Sequence, residues 1–266
     1  INMNINYYND LSYIQMVSLY IFGGILVMYS LLLLLKNFWP TLIVEEVDSD
    51  FLSGLHAALF TITFLTLGYC ITNVTESVDK YQQNVSVEAN EIRTLDNLIS
   101  VYQSQEVNSV RRALYNYSNS IVIDEWPLLS SRVGSSVTAR FYGEMQNILS
   151  KLNPSDAKQL VIYSEMLRTL NKIDQSRTSR IDASKVGLSH HFILMNNIGY
   201  MSVLLISALM LTRFTWFRFI ALNTQLIAVA FIFATTIILD NPFRGSDRIS
   251  PEPIEAVTTA IRQNNF

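Results

Sequence analysis

Four side chains at regular spacing within an apolar segment are the first candidates for function. His56, Phe60, Phe64 and Gly68 recur every four residues, which places them on one face of a helix. An ionisable residue inside an apolar segment is a candidate functional residue, and an aromatic stripe can form a constriction that gates a pore by dewetting. Packing or lipid contact is the alternative for the stripe, and His56 can also lie at the membrane interface.

Charged residues interrupt two otherwise apolar helical faces farther along the chain. Glu88 belongs to a face with alternating steps of three and four residues: Val78, Tyr81, Val85, Glu88, Ile92, Leu95, Ile99 and Tyr102. Arg177 belongs to a second face, and Arg180 follows it closely: Leu160, Tyr163, Leu167, Leu170, Asp174, Arg177 and Ile181.

The two faces are expected to meet inside a helical bundle. A rise of about 1.5 Å per residue puts Glu88 about 21 Å beyond the second apolar segment, and both arginines at about that height before the third. We therefore expect Glu88 to form a buried ion pair with Arg177 or Arg180. The alternative is that the face drifts around the helix and leaves Glu88 in solvent.

Residue patterns typical of enzymes and metal sites are missing from the sequence. It contains no Gly-rich phosphate loop, no HExxH and no GxSxG. The single cysteine, Cys70, lies in an apolar run and is expected to be a core residue. The neighbouring His190 and His191 point to different faces of a helix and so cannot clamp a metal together. We expect no catalytic, cofactor-binding or metal-ligating residues, and no enzyme.

The composition indicates a membrane protein. Of the 266 residues, 50% are hydrophobic and only 15% are charged, whereas soluble domains usually carry about a quarter charged residues. The formal net charge of −3 gives no reason to expect nucleic acid as a partner. The lipid bilayer is the expected surrounding.

Four apolar segments are long enough to cross a bilayer, which takes about 20 residues. They cover residues 13–35, 51–74, about 192–212 and 219–239. The polar region between the second and third segments shows helical periodicity and no useful strand-like alternation. We therefore predict an all-α, polytopic membrane protein with four transmembrane helices in two hairpins and a helical bundle inserted between them.

The domain organisation follows from these segments. We predict a first transmembrane hairpin at 1–75, an extramembrane bundle at 76–191, a second hairpin at 192–240 and a tail at 241–266. The first and last helices of the bundle are expected to continue the membrane spans.

Two local signals mark helix ends within the bundle. "EWP" at 125–127 is expected to break a helix, because proline disfavours helix in the residue before it. "NPSD" at 153–156 is expected to start the last helix, with Asn153 as the N-cap and Pro154 in the first turn.

Several of these motifs, in this order, resemble one protein family. "EAN" at 88–90, "EWP", "RTSR" at 177–180 and the closing "LDNPFRGSDRISPEPI" are similar to those of the bestrophin-like membrane proteins of bacteria and plastids. The resemblance covers nearly the whole chain. It implies a distant relation to bestrophins, which are pentameric anion channels with a central pore lined by the second span. Phe60, Phe64 and His56 would then lie on the pore-lining span.

The resemblance also bears on the tail. In bestrophins an Asn-Pro-Phe-Gly sequence followed by acidic residues forms part of a calcium clasp. Asn241, Pro242 and Phe243 match, but Arg244 precedes the glycine and Asp247 is the only acid before Glu252. Calcium takes six to eight oxygen ligands. We therefore expect the tail turn to be kept as architecture without a calcium site.

Basic residues suggest an orientation. Lys36, Arg213 and Arg218 lie on one side of the predicted spans. Six lie near the membrane on the other side: Lys80, Arg177, Arg180, Lys185, Arg244 and Arg248. The positive-inside rule makes the second side cytoplasmic, although Arg213 and Arg218 share one short loop, which is the stronger indicator. The resemblance also places the termini and the bundle in the cytoplasm, here of a bacterial inner membrane.

Two functions remain open at this stage. The first is a homo-oligomeric ion channel for anions, with the second span around the axis and the bundle as a vestibule. The second is a non-conducting scaffold or accessory subunit whose bundle binds a protein partner. The uncharged first and second spans suit a hydrophobic gate and plain packing equally.

Overall fold

A computed structural model describes residues 13–38, 46–102, 106–244 and 248–263. These residues form helices and connecting turns with no strand, which confirms the all-α prediction. The helices are α1 (Tyr13–Phe38), α2 (Glu46–Tyr102), α3 (Val107–Ser120), a π-helix (Ile121–Glu125), α4 (Trp126–Leu129), α5 (Ser136–Ser150), α6 (Ala157–Lys185), α7 (His190–Met210), α8 (Trp216–Leu239) and α9 (Glu252–Gln263).

Four stretches of helix are long and apolar enough to cross a membrane, as predicted. They are α1, the apolar first part of α2, α7 and α8. The chain divides into two compact units. Unit 1 comprises Ile1–Glu76 and Gly187–Asp247, and unit 2 comprises Ser77–Val186 and Arg248–Phe266. From Arg248 onward, the end of the chain belongs to unit 2.

In unit 1, α1 and α8 run antiparallel. Tyr13 shares a hydrogen bond of 3.0 Å with Thr235 near one end of the pair. Near the other end, the amide nitrogen of Asn223 donates to the hydroxyl of Tyr29 at 3.1 Å. Between them lies an apolar core to which all four spans contribute: Met28, Leu67, Tyr200, Leu204, Ala208, Leu211, Leu222, Leu226, Val229, Ala230 and Phe233.

A row of small and polar residues joins α2 to α7. Gly199 of α7 lies against Thr63 of α2 so closely that a Cβ atom at 199 would stand 2.7 Å from the Thr63 hydroxyl. In the same row, the Asn196 amide donates to the Cys70 sulfur at 3.3 Å. Small residues allow membrane helices to approach closely, and polar side chains hydrogen-bond between them. Cys70 is fully buried, as expected of a core residue.

The last bundle helix does not run unbroken into the third span, so that prediction is wrong. α6 ends at Lys185 and α7 begins at His190. Val186 has an extended backbone, and the Leu188 amide donates to the Asp240 carboxylate. Because Leu188 lies outside both helices, its N–H is available for this hydrogen bond. The segment between α6 and α7 is therefore a defined turn.

In unit 2, the second part of α2 buries the apolar face predicted for it. Val85, Ile92, Leu95, Ile99 and Tyr102 are all buried. The face predicted for α6 is partly wrong, because Leu160 is 58% exposed and Asp174 is also exposed. The buried residues of α6 are Met166, Thr169, Leu170, Ile173, Arg180, Ala183 and Ser184. The buried face of α6 therefore includes a charged residue, Arg180.

Two helix ends differ from prediction. Asp156, not Asn153, is the N-cap of α6, since the Asp156 carboxylate accepts a hydrogen bond from the backbone N–H of Gln159 at 2.7 Å. "EWP" does not simply end a helix. The chain passes from α3 through the π-helix into α4, with Pro127 in the first turn of α4, where a missing N–H costs no hydrogen bond.

Candidate functional site

Glu88 and Arg180 form a buried ion pair in unit 2. Arg180 Nε donates to Glu88 Oε2 at 2.7 Å, and Arg180 Nη2 donates to Glu88 Oε1 at 3.1 Å. Both side chains are almost completely buried. α2 turns Glu88 inward because it shares a face with Val85 and Ile92, and α6 supplies Arg180 from its own buried stripe. Of the two predicted partners, the structure brings Arg180 to Glu88.

Arg177 contacts a different carboxylate, Glu125 at the end of the π-helix. Its Nε lies 3.2 Å from Glu125 Oε1. Arg180 also donates to Glu125 Oε1, at 2.9 Å, so it bridges the two glutamates. The Ser135 amide adds a hydrogen bond of 3.0 Å to Glu125 Oε2. We call Glu88, Glu125, Arg177 and Arg180 the charge cluster.

The π-helix and its neighbours position this cluster. Single π-turns widen a helix and are frequent at functional sites. Trp126 follows directly, and the Arg180 guanidinium lies 5.4 Å from the centre of its ring. The Trp126 indole nitrogen donates to the carbonyl of Ile249 at 3.3 Å. The segment before α9 is thereby tied to the residue that supports Arg180.

The shifts in pKa favour the ionised forms of Glu125, Arg177 and Arg180. Burial alone would raise the pKa of Glu125, but hydrogen bonding and attraction from Arg177 and Arg180 outweigh it and lower that pKa. Burial opposes the charge of Arg180, yet Glu88 and Glu125 raise its pKa. Burial raises the pKa of the neighbouring Tyr117 well above its usual value, so its hydroxyl stays protonated. Two carboxylates and two guanidinium groups balance within this interior.

The charge cluster is suited to holding helices together. Among the described residues, Arg180 Nη1 and the Tyr117 hydroxyl are buried without a hydrogen-bond partner. Both oxygens of each glutamate and the Nε and Nη2 atoms of each arginine bind one another or nearby backbone. Because each charge is already paired, the cluster offers no free base or nucleophile. Sequence reasoning missed Glu125 as a member of the cluster, although two acids, Asp124 and Glu125, within the otherwise apolar "IVIDEW" were a usable signal.

The described residues contain no group of three or more His, Cys, Asp or Glu side chains that could hold a metal ion. His190 and His191 are exposed at the start of α7. In the tail, Pro242 and Phe243 are buried, and the Arg244 amide donates to the carbonyl of Asn241 at 3.0 Å. Asp247 lies outside the described residues. The expectation of no catalytic, cofactor or metal site stays a prediction.

The aromatic stripe of α2 runs from the inside of unit 1 to its surface. His56 is 4% exposed and its Nε2 lies 3.0 Å from the Ser207 hydroxyl of α7. Phe60 is half-buried against the core, and Phe64 is 39% exposed. The rings stack in sequence, with centroid separations of 6.3 Å and 5.7 Å. Burial against Ser207 argues against a pore-lining position for His56, because α7 of the same chain covers the ring.

The exposed side of α2 has two edges of different chemistry. Spacings of three and four residues connect the small, hydroxylic and aromatic residues of one edge: Ala57, Thr61, Phe64, Gly68, Thr72 and Thr75. The three threonine hydroxyls each donate to a carbonyl four residues earlier, at 2.7 to 3.0 Å. The other edge carries bulky apolar side chains: Phe51, Ile62, Leu65 and Tyr69. We call these the mixed edge and the apolar edge.

The mixed edge is uncharged throughout the span. Between Asp50 and Glu76 the sequence has no Asp, Glu, Lys or Arg. The helix presents small and hydroxyl-bearing residues along this edge, and Phe64 is its only aromatic side chain. Such an edge can face water or a second protein surface, whereas the apolar edge is suited to lipid.

Comparison with known proteins gives a family. No curated protein and no solved structure shows a significant match to the chain. The model of the Bestrophin-like domain matches residues 22–254, which cover α1 from Phe22 onward, the other three membrane helices, the charge cluster and the tail turn. The chain therefore belongs to the Bestrophin-like family.

Proposed function

We propose that the protein is a homo-oligomeric anion channel of the bacterial inner membrane, with α2 lining the pore. The observation that carries the proposal is the division of the exposed side of α2 into a mixed and an apolar edge. In a ring of copies the mixed edge would face the axis while other helices face lipid. Membership of the Bestrophin-like family supports the same arrangement.

Phe64 is the constriction in this proposal. It is the largest of the six residues that define the mixed edge, and the other five are Ala, Thr and Gly. Phe60 stacks behind it at 5.7 Å and is itself packed against the core, so the ring of Phe64 has a fixed support. A narrow ring of phenylalanines excludes water and so gates by dewetting.

The anion preference rests on Arg93. This residue is exposed on the part of α2 that belongs to unit 2. A ring of exposed cations along a permeation path favours anions. We place unit 2 and the termini in the cytoplasm, as the family resemblance and the basic residues near the membrane suggest.

Chloride flux in liposomes tests the channel. We expect the parent chain to conduct and Phe64→Ala to increase the flux, because the constriction is widened. Ile62→Ala is the matched control, since Ile62 is an exposed apolar residue on the opposite edge. Arg93→Gln is expected to lower the ratio of chloride to sodium permeability. Equal effects of Phe64→Ala and Ile62→Ala would contradict a pore along the mixed edge.

A scaffold that binds a protein through unit 2 is the second candidate. It is favoured by three exposed apolar side chains close together in the chain, Ile123, Leu128 and Val133, at 61%, 40% and 55% exposure. Two results together would support the scaffold over the channel. The folded parent protein and Phe64→Ala would both show no chloride flux, and the protein would be monomeric in detergent and in nanodiscs.

A further inference from the structure

The turn between α7 and α8 presents aromatic rings to its surroundings. Phe214, Trp216 and Phe217 are 54%, 71% and 83% exposed. Phe214 and Trp216 pack edge-to-face at 5.4 Å, and each also contacts Phe219 at 5.9 Å or less. Phe219 in turn packs against the core of unit 1. The exposed rings are therefore held on a rigid base.

The two arginines of this turn have different surroundings. Arg218 is half-buried, and its Nη2 donates to the Ser49 hydroxyl at the start of α2, at 2.8 Å. Arg213 is exposed, and no ion pair or hydrogen bond of its guanidinium occurs within the described part of the chain. Arg218 therefore joins two helices of unit 1, whereas no described residue occupies the guanidinium donors of Arg213.

Helix lengths place this turn at one surface of the bilayer. α7 has 21 residues and α8 has 24, which gives about 31 Å and 36 Å at 1.5 Å per residue. A hydrocarbon core about 30 Å thick takes up nearly all of that length. The connecting residues, 211–215, are too few to extend far into water. Tryptophan and other aromatic side chains are enriched at this depth.

We propose that the α7–α8 turn binds the phosphate headgroup of an anionic phospholipid, with Arg213 as the cation and the exposed rings of Phe214, Trp216 and Phe217 in the interfacial region. Arginine has five donors in a planar fork that matches phosphate oxygens. The rings fix the height of the turn, and Thr215 fixes its shape by accepting from the Arg218 amide at 3.3 Å. The site requires the membrane spans but does not depend on channel activity.

Thermal stability in two lipid compositions tests the charge. The full chain is placed in nanodiscs of phosphatidylcholine alone or with about one third phosphatidylglycerol, a fraction chosen to keep the anionic lipid in excess. We expect a higher Tm in the anionic nanodiscs and loss of that difference in Arg213→Gln. Arg218→Gln is the control. It should lower Tm in both lipids and keep the difference between them, because Arg218 acts within the protein.

Tryptophan quenching tests the position of the rings. The fraction of fluorescence from Trp216 is obtained by comparing the parent with Trp216→Phe. We expect lipids with a nitroxide near the headgroup to quench it more strongly than lipids with a nitroxide near the chain end. Arg213→Gln with an unchanged lipid-dependent Tm difference would overturn the headgroup site. Quenching of Trp216 by aqueous iodide and not by shallow nitroxide would overturn it as well.

Discussion

Arg180 binds Glu88 through two hydrogen bonds although the two residues are 92 positions apart in the chain. The same guanidinium donates to Glu125, so one side chain of α6 connects α2 with the π-helix. Buried ion pairs add little over apolar packing, but removing one partner leaves an uncompensated charge. The charge cluster is therefore a place where single substitutions have large effects.

Glu88→Gln is expected to destabilise unit 2 by about 3 kcal/mol, at the lower end of the range for broken buried pairs because Arg180 keeps Glu125. The measurement is chemical or thermal unfolding in detergent. Glu165→Gln is the matched control, since Glu165 pairs with Arg168 on the exposed surface of α6 and its loss should leave Tm unchanged. An unchanged Tm for Glu88→Gln would contradict a structural role for the pair.

Acid stability should depend on Glu125. The pKa of this carboxyl is lower in the folded protein than its usual value of 4.5. The stabilisation is therefore fully present above about pH 4.5 and is lost as the pH falls through the lowered folded pKa. We expect Tm of the parent to fall steeply in this acid range and Tm of Glu125→Gln to be lower at neutral pH but less dependent on pH. Parallel curves for the two proteins would exclude Glu125 as the titrating group.

Gly199→Ala should disturb the contact between α2 and α7. The added methyl group would stand 2.7 Å from the Thr63 hydroxyl and 3.2 Å from its Cγ2, so one helix has to move. Overpacking of this kind costs about 1 to 3 kcal/mol. Gly23→Ala provides the control in the same unit, because a Cβ there meets no atom within 4 Å. Thr63→Ala should restore part of the loss, measured as Tm of the double variant.

The sequence predicts the spans and the inward position of Glu88 because each depends on local composition or helical spacing. An acidic side chain within an apolar helix face needs a cationic partner or must turn to solvent. Both arginines lie within one helical turn of the height of Glu88 above the predicted spans. Residue spacing cannot show whether Arg177 or Arg180 binds Glu88, since that depends on how α6 is rotated about its axis.

Other features depend on contacts that spacing does not contain. The π-helix adds residues to one turn and so changes which side chains after Ser120 face inward, which is why Glu125 was missed. The four-residue spacing correctly groups His56 with Phe60 and Phe64, but it does not reveal that Ser207 covers His56. The break after Lys185 likewise depends on Asp240, which lies far along the chain.

The N-cap of α6 gives a direct comparison of the sequence-based expectation with the structure. Asp156 has an extended backbone and its carboxylate accepts from the Gln159 amide, whereas Asn153 is exposed and lies before the helix. Replacing an N-cap residue by alanine costs about 1 kcal/mol, because an amide of the first turn loses its acceptor. We therefore expect Asp156→Ala to lower the free energy of unfolding by about this amount and Asn153→Ala to have no measurable effect. The free energy of unfolding of each variant is measured at neutral pH. A larger loss in Asn153→Ala than in Asp156→Ala would indicate that Asn153 is the N-cap of α6.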